Sequence, residues 1–576
     1  MTPEEAAQRQ EDVINAPADL YVRACPGAGK TRTVVGRFIR TAEESAPRAV
    51  AVISFTNRAA DEVSARCAEI GRPKLLMYPN FVGTFDRFIA TYIVRPFGQL
   101  GGPIRVIDSW ESLDVQIGAY GVQGTVSLDH FEISPDGVLR FDPRPRDPAA
   151  TGTALARLEQ NALQSYHALR NQGYITCDDA RAYAAQLLAQ HPDIVDLLRE
   201  RFAEIIVDEA QDCSTEELAL LTRLRDAGIP LVIVCDPHQS IYEWRDADPY
   251  TFQEFVQGMP AIELDGNWRS APSVCALAAT LRDGGPADNP VGPLADHDQP
   301  IVLIRYTGWV TSSIGERFAT LVTDAGVDIS QAVVLSHRAN SAAAAVGAGV
   351  PNGQSNVMQL ATACLRLADD RTDPRKRQRE FDRIQRLLLK VLKAEVVGHS
   401  TERSAELSNV SIDWLRRSTV QLAIAVGGHD LDLNVPDWVA AARKSMKAIA
   451  DTEGRTYMAL GTLFPTPQNS AGKNMRSLLN AQVGAVALRH SSIHKAKGSE
   501  HRAVLVVVPR DRAAVTRTAE VTTAWEQGAA CEAKRVLYVG VTRAEQICAL
   551  AVPDGIADRI LAILTAEGVP FTIHTV

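Results

Sequence analysis

Four short segments of this 576-residue chain combine glycine, lysine, paired carboxylates and arginine, the residue types that bind and cleave nucleotides. They read A-C-P-G-A-G-K-T at 24–31, V-D-E-A-Q-D at 207–212, V-C-D-P-H-Q-S-I-Y-E-W-R at 234–245 and R-V-L-Y-V-G-V-T-R-A at 535–544. Each of them alone is suggestive. Their combination in this order predicts an enzyme that hydrolyses a nucleoside triphosphate.

The segment 24–31 has the pattern of a phosphate-binding loop. Gly27 and Gly29 allow the backbone to curl so that its N–H groups can point at phosphate oxygens. Lys30 is predicted to reach the β- and γ-phosphates, and Thr31 to offer a hydroxyl to Mg²⁺. The helix that follows adds its positive dipole end. The alternative interpretation is a glycine turn without function.

The segment 207–212 carries a pair of carboxylates at the end of an apolar run. An Ile-Ile-Val run at 205–207 predicts a buried strand that delivers both side chains to its carboxyl end. Asp208 suits a Mg²⁺ ligand, because a hard cation prefers oxygen ligands. Glu209 is then predicted to orient and deprotonate the attacking water. A bare Asp-Glu pair is more often a solvated turn, but the buried run before it favours function.

Strand-like apolar runs that lead into polar residues occur in two regions, and helical segments alternate with them. This is the pattern of a parallel sheet covered by helices, which binds ligands at the carboxyl edge of its strands. The runs lie at 20–24, 49–54, 204–208 and 231–236 in the first region, and at 301–304, 332–336, 503–508 and 547–552 in the second.

Each region is interrupted by a segment that lacks this alternation, so we expect two α/β halves that each carry a mainly helical inserted domain. The predicted boundaries are 1–97, 98–194 (first insert), 195–262, 263–344, 345–477 (second insert) and 478–576. A basic run at 375–383 in the second insert favours a solvated helix face, with a duplex or partner contact as the alternative.

The composition is that of a globular protein without a membrane span, since 46% of the residues are hydrophobic and no long apolar run occurs. The acidic start of the sequence predicts no secretory leader. Nine scattered cysteines without a C-x-x-C pair predict reduced thiols and a cytoplasmic location. The formal charge of −9 means that any nucleic acid must bind through a local basic groove.

In combination, the segments resemble the UvrD/Rep/PcrA group of superfamily 1 DNA helicases. Further segments resemble motifs of that group: S-F-T-N-R-A-A at 54–60, G-T-F at 83–85, L-D-G-N-W-R-S at 264–270 and I-H-K-A-K-G-S-E at 493–500. The resemblance implies two RecA-like motor domains that bind ATP with Mg²⁺ and act on DNA. It also implies movement or unwinding with 3′→5′ polarity.

The resemblance assigns a set of residues to the nucleotide. Gln10 is expected to read the adenine, Trp268 or Arg32 to pack on it, and Glu500 to accept a hydrogen bond from the ribose. Gln239 is expected to sense the γ-phosphate. Arg269 and Arg543, both from the second half, are expected to face the same phosphate. In full, the nucleotide and metal residues are Gln10, Gly27, Ala28, Gly29, Lys30, Thr31, Arg32, Asp208, Glu209, Gln239, Trp268, Arg269, Glu500 and Arg543.

A second set of residues is expected to contact DNA. Tyr242 and Trp244 alternate with charged residues, which places both rings on one face of an extended segment, as a base-stacking platform needs. The alternative is that both rings belong to the core. The DNA residues implied by the resemblance are Phe55, Thr56, Asn57, Arg58, Thr84, Tyr242, Trp244, Arg245 and His494. Asp86 and Asp246 depart from the family pattern and put acid near the expected DNA path.

Within the group, the stretches N-F-V-G-T-F-D-R-F at 80–88 and I-V-R-P-F at 93–97 are similar to the compact helicase subunits of Gabija-type anti-phage systems. This similarity implies a partner, a nuclease–ATPase of the OLD family. The leading hypothesis is therefore an ATP-dependent helicase or translocase for single-stranded or tailed DNA, in defence or in repair. The alternative is a nucleotide-controlled DNA sensor or scaffold that regulates a partner nuclease.

Overall fold

The computed structural model describes residues 1–113, 115–133, 138–144, 147–241, 247–282, 284–348, 355–367, 374–394, 401–427, 431–454, 456–467, 472, 474–477, 479, 488–510 and 518–576. The chain divides into two compact units. The first unit comprises Met1–Asp108, His167–Val346 and Leu488–Val576, and the second comprises Ser109–Tyr166 and Gly347–Ala487.

The first unit contains two six-stranded sheets. All strands of the first sheet are parallel, in the spatial order Ala261–Leu264, Leu20–Ala24, Leu231–Cys235, Phe202–Asp208, Ala49–Ser54 and Phe81–Thr84. Val207 lies opposite Ile233 on one side and Ile53 on the other, and all three are fully buried. Because helices cover both faces, the inner strands Ala49–Ser54 and Leu231–Cys235 are buried along their whole length.

The second sheet is also entirely parallel. Its spatial order is Arg489–Ser492, Ala332–Ser336, His501–Val507, Ala544–Pro553, Ile301–Tyr306 and Phe571–Thr575. Its central strands are buried and contribute Leu303, Leu335 and Val504 to one core. The predicted fold class, two parallel-sheet α/β domains with many helices, is confirmed.

Helices cover both sheets and connect their strands. The α-helices of the first unit are Pro3–Asn15, Lys30–Glu44, Asn57–Glu69, Phe85–Ile89, Arg95–Phe97, Cys177–Gln190, Pro192–Arg201, Thr215–Asp226, Pro249–Val256, Pro272–Thr280, Ser312–Asp324, Ala339–Ala345, Ile493–Ala496, Thr518–Glu526, Glu532–Val541 and Asp554–Ala566. Two of them begin with a capping box, Thr2 with Glu5 and Ser214 with Glu217, which satisfies N–H groups that the first helical turn leaves without partners.

Shorter elements complete the first unit. Ala90–Val94 forms a π-helix, and single 3₁₀ turns occur at Pro73–Leu76, Ala210–Asp212, Pro237–Gln239 and Ile329–Gln331. Two small parallel sheets pair Arg105–Ile107 with Tyr174–Thr176, and Gly266–Asn267 with Asn289–Pro290. The second of these pairs lies next to the phosphate-binding loop, because the amide N of Trp268 donates a 2.9 Å hydrogen bond to the carbonyl O of Gly27.

A buried ion pair connects one strand of the first sheet with two neighbouring helices. The Arg37 guanidinium, in the helix Lys30–Glu44, donates to both carboxylate oxygens of Glu204 at 2.8 and 2.6 Å. It also donates to the carbonyl oxygens of Val13 and Ala16, at 2.7 and 2.9 Å. The helix Lys30–Glu44 is therefore fixed both to the strand Phe202–Asp208 and to the helix Pro3–Asn15.

The second unit is mainly helical. Its helices are Asn356–Leu367, Pro374–Val391, Thr401–Leu407, Ile412–Val426, Val435–Glu453 and Leu460–Leu463, and Gly152–Asn171 runs from it into the first unit. The stretch 109–166 adds 3₁₀ turns at Trp110–Leu113 and Leu128–His130 and two hairpins, Gln116–Ile117 with Val126–Ser127 and Phe131–Ile133 with Leu139–Phe141. Trp438 is fully buried, and its indole N–H donates to the carbonyl O of Val426 at 2.9 Å.

Of the predicted first insert, 98–194, only Ser109–Tyr166 belongs to the second unit. The helices Cys177–Gln190 and Pro192–Arg201 belong to the first unit, since their apolar faces join the core around Phe202 and Phe88. Within the described parts of the chain, no helix has the length and apolarity needed to cross a membrane.

Candidate nucleotide-binding site

The phosphate-binding loop joins the strand Leu20–Ala24 to the helix Lys30–Glu44. Gly27 and Gly29 have φ angles of 77° and 79°, a left-handed conformation that only glycine adopts without strain. A Cβ atom on Gly27 would lie 2.5 Å from the Asn267 side-chain oxygen, so a larger residue would also clash there. The sequence therefore places glycine at the positions where the backbone curls and is approached closely.

The loop forms one wall of a cleft of about 400 Å³ between the two sheets of the first unit. Eleven of the predicted nucleotide residues line it: Gly27, Gly29, Lys30, Thr31, Arg32, Glu209, Gln239, Trp268, Arg269, Glu500 and Arg543. The structure thus brings together side chains that are more than 500 positions apart in the chain. Ala28 and Asp208 are buried at the loop and at the acid pair, behind this lining.

The acid pair stands at the carboxyl end of the strand Phe202–Asp208, and Lys30 balances its charge. Burial and the charge of Glu209 raise the pKa of Asp208 to about 7. Burial alone would raise the pKa of Glu209 as well, but Lys30 and Lys497 lower it to about 2. Burial would lower the pKa of Lys30, yet Glu209, Asp236 and Asp208 raise it. Glu209 is therefore ionised, as a proton acceptor must be.

The backbone of Glu209 is strained. Its φ of 57° lies in the left-handed region, which costs a non-glycine residue roughly 1–3 kcal/mol. Its amide N donates to Asp208 Oδ1 at 3.0 Å, and its Oε2 accepts from Gln211 Nε2 at 2.6 Å. Surrounding contacts therefore fix the carboxylate of Glu209 in one orientation toward the cleft.

Gln239 and Arg543 meet across the cleft. Arg543 Nη2 donates to Gln239 Oε1 at 3.2 Å, and Gln239 Nε2 donates to Asp236 Oδ2 at 2.9 Å. The remaining bonds of Arg543 go to Val539 O, Ser499 O and Thr542 Oγ1. Burial and the nearby Arg269 lower the pKa of Arg543 to about 10, so its guanidinium stays charged at neutral pH.

Arg269 and Glu500 form an ion pair with each other at the cleft. Arg269 also donates to Thr542 O at 3.5 Å, and Asn267 Oδ1 accepts from its backbone N–H at 2.8 Å. The sequence assigned Arg269 to the γ-phosphate and Glu500 to the ribose. In this structure the two side chains satisfy one another, so a nucleotide has to separate them to meet both expected contacts.

Gln10 lies behind the loop, outside the cleft lining. Its side chain is buried, and Nε2 donates a 2.7 Å hydrogen bond to the Ala28 carbonyl O. A Cβ atom on Gly29 would lie 2.5 Å from the same nitrogen. The structure therefore shows Gln10 bracing the loop, while Trp268 and Arg32, also assigned to the adenine, do line the cleft.

Lys497 is a site residue that the sequence reasoning missed. Its Nζ lies 2.5 Å from Asp212 Oδ2 and 2.9 Å from the Gln239 carbonyl O, and both charged side chains are more than nine-tenths buried. Lys497 comes from the second half and its partners from the first, so the pair fastens the cleft. Lys497 lies in the motif at 493–500 and Asp212 in the segment 207–212. These motifs were the feature of the sequence that could have pointed to the pair.

Residues 6–260 match the sequence model of the family described as the UvrD/REP helicase N-terminal domain. This part of the chain is therefore similar to the N-terminal domain of UvrD/REP helicases. The match carries the loop, the acid pair and Gln239. The resemblance expected from the motifs is confirmed.

Three relatives illustrate the extent of the similarity to UvrD-type helicases. DNA helicase II of Escherichia coli (strain K12) is 28% identical over 291 residues, which cover 47% of this chain and 39% of that protein. The ATP-dependent DNA helicase PcrA of Bacillus subtilis is 24% identical over 317 residues, 52% of this chain and 42% of PcrA. Gabija protein GajB of Bacillus cereus is 27% identical over 252 residues, 43% of this chain and 42% of GajB. The chain thus spans about two fifths of the length of these relatives.

Several residues expected to contact DNA follow the ends of the strands Ala49–Ser54 and Phe81–Thr84. Thr56, Asn57 and Arg58 are exposed, and Phe55 is half-buried and stacks on Phe85 with ring centroids 5.8 Å apart. Thr56 Oγ1 caps the helix Asn57–Glu69, so its hydroxyl is used within the fold. Thr84 likewise caps the next helix, its Oγ1 accepting from the Arg87 amide N at 3.3 Å.

Three other expected DNA residues, Tyr242, Trp244 and Arg245, lie outside the described residues, as does Asp246. His494 is described and half-buried. Burial lowers its pKa, and its ring lies 5.4 Å from that of His337, centroid to centroid. His494 is therefore a neutral ring at physiological pH.

Asp86, beside the expected DNA path, forms an ion pair within the fold. Arg181 Nη1 lies 2.5 Å from Asp86 Oδ1, and the same guanidinium also pairs with Asp178. Because Asp86, Asp178 and Glu217 share this one guanidinium, the cluster keeps a net negative charge, and weaker DNA binding caused by Asp86 stays a prediction. Arg181 comes from the helix Cys177–Gln190, which sequence reasoning had assigned to an insert.

Proposed function

We propose that this chain is an ATP-dependent DNA helicase or translocase. The observation that carries the proposal is the hydrogen bond between Gln239 and Arg543 in a cleft that also contains Lys30 and Glu209. The first half supplies the groups that bind phosphate and activate water, and the second supplies the arginine. Hydrolysis then depends on closure between the halves, which is how a motor converts chemistry into movement.

The residues fit an in-line attack of water on the γ-phosphate. Glu209 accepts the proton as the water oxygen bonds to phosphorus, and the bond from phosphorus to the β-phosphate oxygen breaks. Lys30 and Arg543 stabilise the negative charge that develops on the phosphate oxygens, and an arginine in this role contributes roughly 10³–10⁵ in rate. Gln239, bonded to Arg543, responds to whether the γ-phosphate is present.

The site also fits Mg²⁺. Asp208 is a buried carboxylate beside a second carboxylate, the setting in which a divalent cation relieves repulsion, and the Thr31 hydroxyl lines the same cleft. These oxygen donors match the preference of a hard cation. When bound, Mg²⁺ supplies charge neutralisation to the phosphates of ATP.

We propose DNA as the nucleic acid and 3′→5′ as the polarity, from the similarity to DNA helicase II and PcrA. The exposed Thr56, Asn57 and Arg58 support a strand path next to the cleft. Tyr242 and Trp244 remain the predicted stacking platform. The segment that carries them follows Ile241, so a shift in the sensor Gln239 can reach it along a very short stretch of chain.

A strand-displacement assay tests this function. The purified chain is mixed with ATP and duplexes that carry a 3′ tail, a 5′ tail or no tail. We expect displacement of the 3′-tailed duplex only, abolished in Glu209→Gln and retained in Glu216→Gln, a matched change at an exposed position. ATP hydrolysis without displacement of any substrate would contradict the helicase and favour the alternative, a nucleotide-controlled DNA sensor or scaffold.

A finer proposal concerns the biological setting. The similarity to Gabija protein GajB supports a role in an anti-phage complex, with a nuclease–ATPase of the OLD family as partner. Co-expression with a neighbouring gene product of that class, followed by affinity capture, tests the partner. Recovery of the chain alone at physiological salt would count against the complex and leave a repair helicase as the setting.

A further inference from the structure

The carboxylate of Asp236 lies at the centre of the hydrogen bonds behind the cleft. It accepts from the His238 amide N at 3.0 Å, from Gln239 Nε2 at 2.9 Å and from the Tyr538 hydroxyl at 3.1 Å. Asp236 itself is buried. A buried carboxylate with three donors around it is fixed in one orientation, because each loss leaves a desolvated charge short of a partner.

The same residue is connected to the proposed base. The Asp236 amide N donates to Gln211 Oε1 at 3.3 Å, and Gln211 Nε2 donates to Glu209 Oε2 at 2.6 Å. The Asp236 carboxylate therefore joins Tyr538 to Gln239, while the backbone N–H of Asp236, a separate group, leads through Gln211 to Glu209.

The chemistry of Asp236 decides which way the amide of Gln239 faces. An ionised carboxylate only accepts, so the NH₂ group of Gln239 must point at it. The Gln239 oxygen is then left to face Arg543 Nη2, at 3.2 Å. A reversed amide would put NH₂ against the guanidinium and an oxygen against the carboxylate, which is unfavourable at both ends.

Tyr538 reaches this point from the other half of the motor. It lies in the helix Glu532–Val541, five positions before Arg543, and is fully buried. Its ring packs edge-on against His238 with centroids 5.9 Å apart, and the Arg282 guanidinium lies 5.7 Å from its centroid. Burial raises the pKa of Tyr538 well above its usual value, so the hydroxyl remains a donor.

We propose that Tyr538 is a positioning residue for ATP hydrolysis, whose hydroxyl holds the Asp236 carboxylate so that Gln239 faces Arg543. The inference rests on the proposed function, since it concerns the same cleft. Tyr538 does not line the nucleotide cleft, so it acts on the site through Asp236. Its contribution appears only when the two halves are together, because its hydroxyl and Asp236 belong to opposite halves.

The variant Tyr538→Phe removes the hydroxyl and keeps the ring. A hydrogen bond to a charged group contributes enough for its loss to lower kcat roughly tenfold. KM and the affinity for a fluorescent ATP analogue should change by less than about twofold, because no phosphate ligand is lost. Tyr306→Phe is the matched control, since Tyr306 is also buried and donates to the Val508 carbonyl O at 2.8 Å, away from the cleft.

A double-mutant cycle separates positioning from a loss of fold. In the Gln239→Ala background, adding Tyr538→Phe should lower kcat no further, because the group that it orients is gone. Equal losses in Tyr538→Phe and Tyr306→Phe, or additive losses in the cycle, would overturn the proposal. If Tyr538→Phe lowers the melting temperature more than its control, Asp236→Asn replaces it, and full kcat in that variant would overturn the proposal as well.

Different results would contradict the proposed function and the positioning role of Tyr538. If the wild-type chain hydrolyses no ATP with or without DNA, the proposed function fails. If the wild type is active and Tyr538→Phe equals it in kcat, only the positioning role fails.

Discussion

Replacing Lys497 by methionine tests whether a buried ion pair fastens the two halves of the first unit. The change keeps the length of the side chain and removes the ammonium that lies 2.5 Å from Asp212 Oδ2 and 2.9 Å from the Gln239 carbonyl O. Asp212 then keeps its negative charge in a buried position without this cation. Breaking a buried pair from one side costs about 3–5 kcal/mol.

That free energy is large enough to see in two assays. For a unit of this size it corresponds to a fall of roughly 3–10 °C in the melting temperature, measured by scanning fluorimetry without nucleotide. Since the loss also favours separation of the halves, DNA-stimulated ATP turnover should fall roughly a hundredfold or more. Because a chain of several domains does not melt in one step, midpoints are compared within the mutant series.

The double variant Lys497→Met/Asp212→Asn tests whether the buried charge of Asp212 causes the loss of stability. It should melt at a higher temperature than Lys497→Met alone, because the buried negative charge that lost Lys497 is gone. Lys495→Met, an exposed position two residues earlier, is the matched control and should melt like the wild type. Two results would contradict this expectation: the same melting temperature for Lys497→Met and Lys495→Met, or a lower melting temperature for the double variant than for Lys497→Met.

Three further changes have defined outcomes. Arg543→Lys should lower kcat by roughly 10³ or more while the nucleotide still binds, because an ammonium cannot replace the branched guanidinium; steady-state turnover and analogue binding measure the two effects. Trp244→Ala should spare basal ATP turnover and blunt its stimulation by single-stranded DNA; unchanged stimulation would make the platform assignment wrong. Arg37→Met should lower the free energy of unfolding by about 3–5 kcal/mol, since Glu204 loses its bidentate partner; Arg40→Met on the same helix is the comparison in thermal melting.

The strands were predictable because each is a short apolar run with its own local signal. The runs 49–54 and 332–336 have the same bounds in the sequence prediction and in the structure. The phosphate-binding loop was equally local, since two glycines, Lys30 and Thr31 lie within five positions of each other. Such features depend on neighbouring residues and need no knowledge of tertiary contacts.

The contacts across the cleft could not be predicted in this way. Lys497 and Asp212 are 285 positions apart, and Arg269 and Glu500 are 231 apart, so their pairing depends on how the two sheets approach each other. A motif indicates that such a residue matters but does not name its partner. The ion pair of Arg37 and Glu204 had no motif signal at all.

The acidic residue Asp86 illustrates the same limit for charge. A negative side chain beside an expected DNA path predicts repulsion only if no cation neutralises it. Arg181, 95 positions away, pairs with Asp86 here, but Asp178 and Glu217 share the same guanidinium. The Ala-rich segment that carries Arg181 reads as part of an insert, yet its apolar face packs against the first sheet.

The most direct test of a DNA-coupled motor is the rate of ATP hydrolysis by the purified chain, with and without single-stranded DNA. We predict strong stimulation by DNA, lost in Glu209→Gln, in which nucleotide binding is retained. A turnover rate that ignores DNA in the wild type would contradict the coupling that the joined halves of this cleft imply.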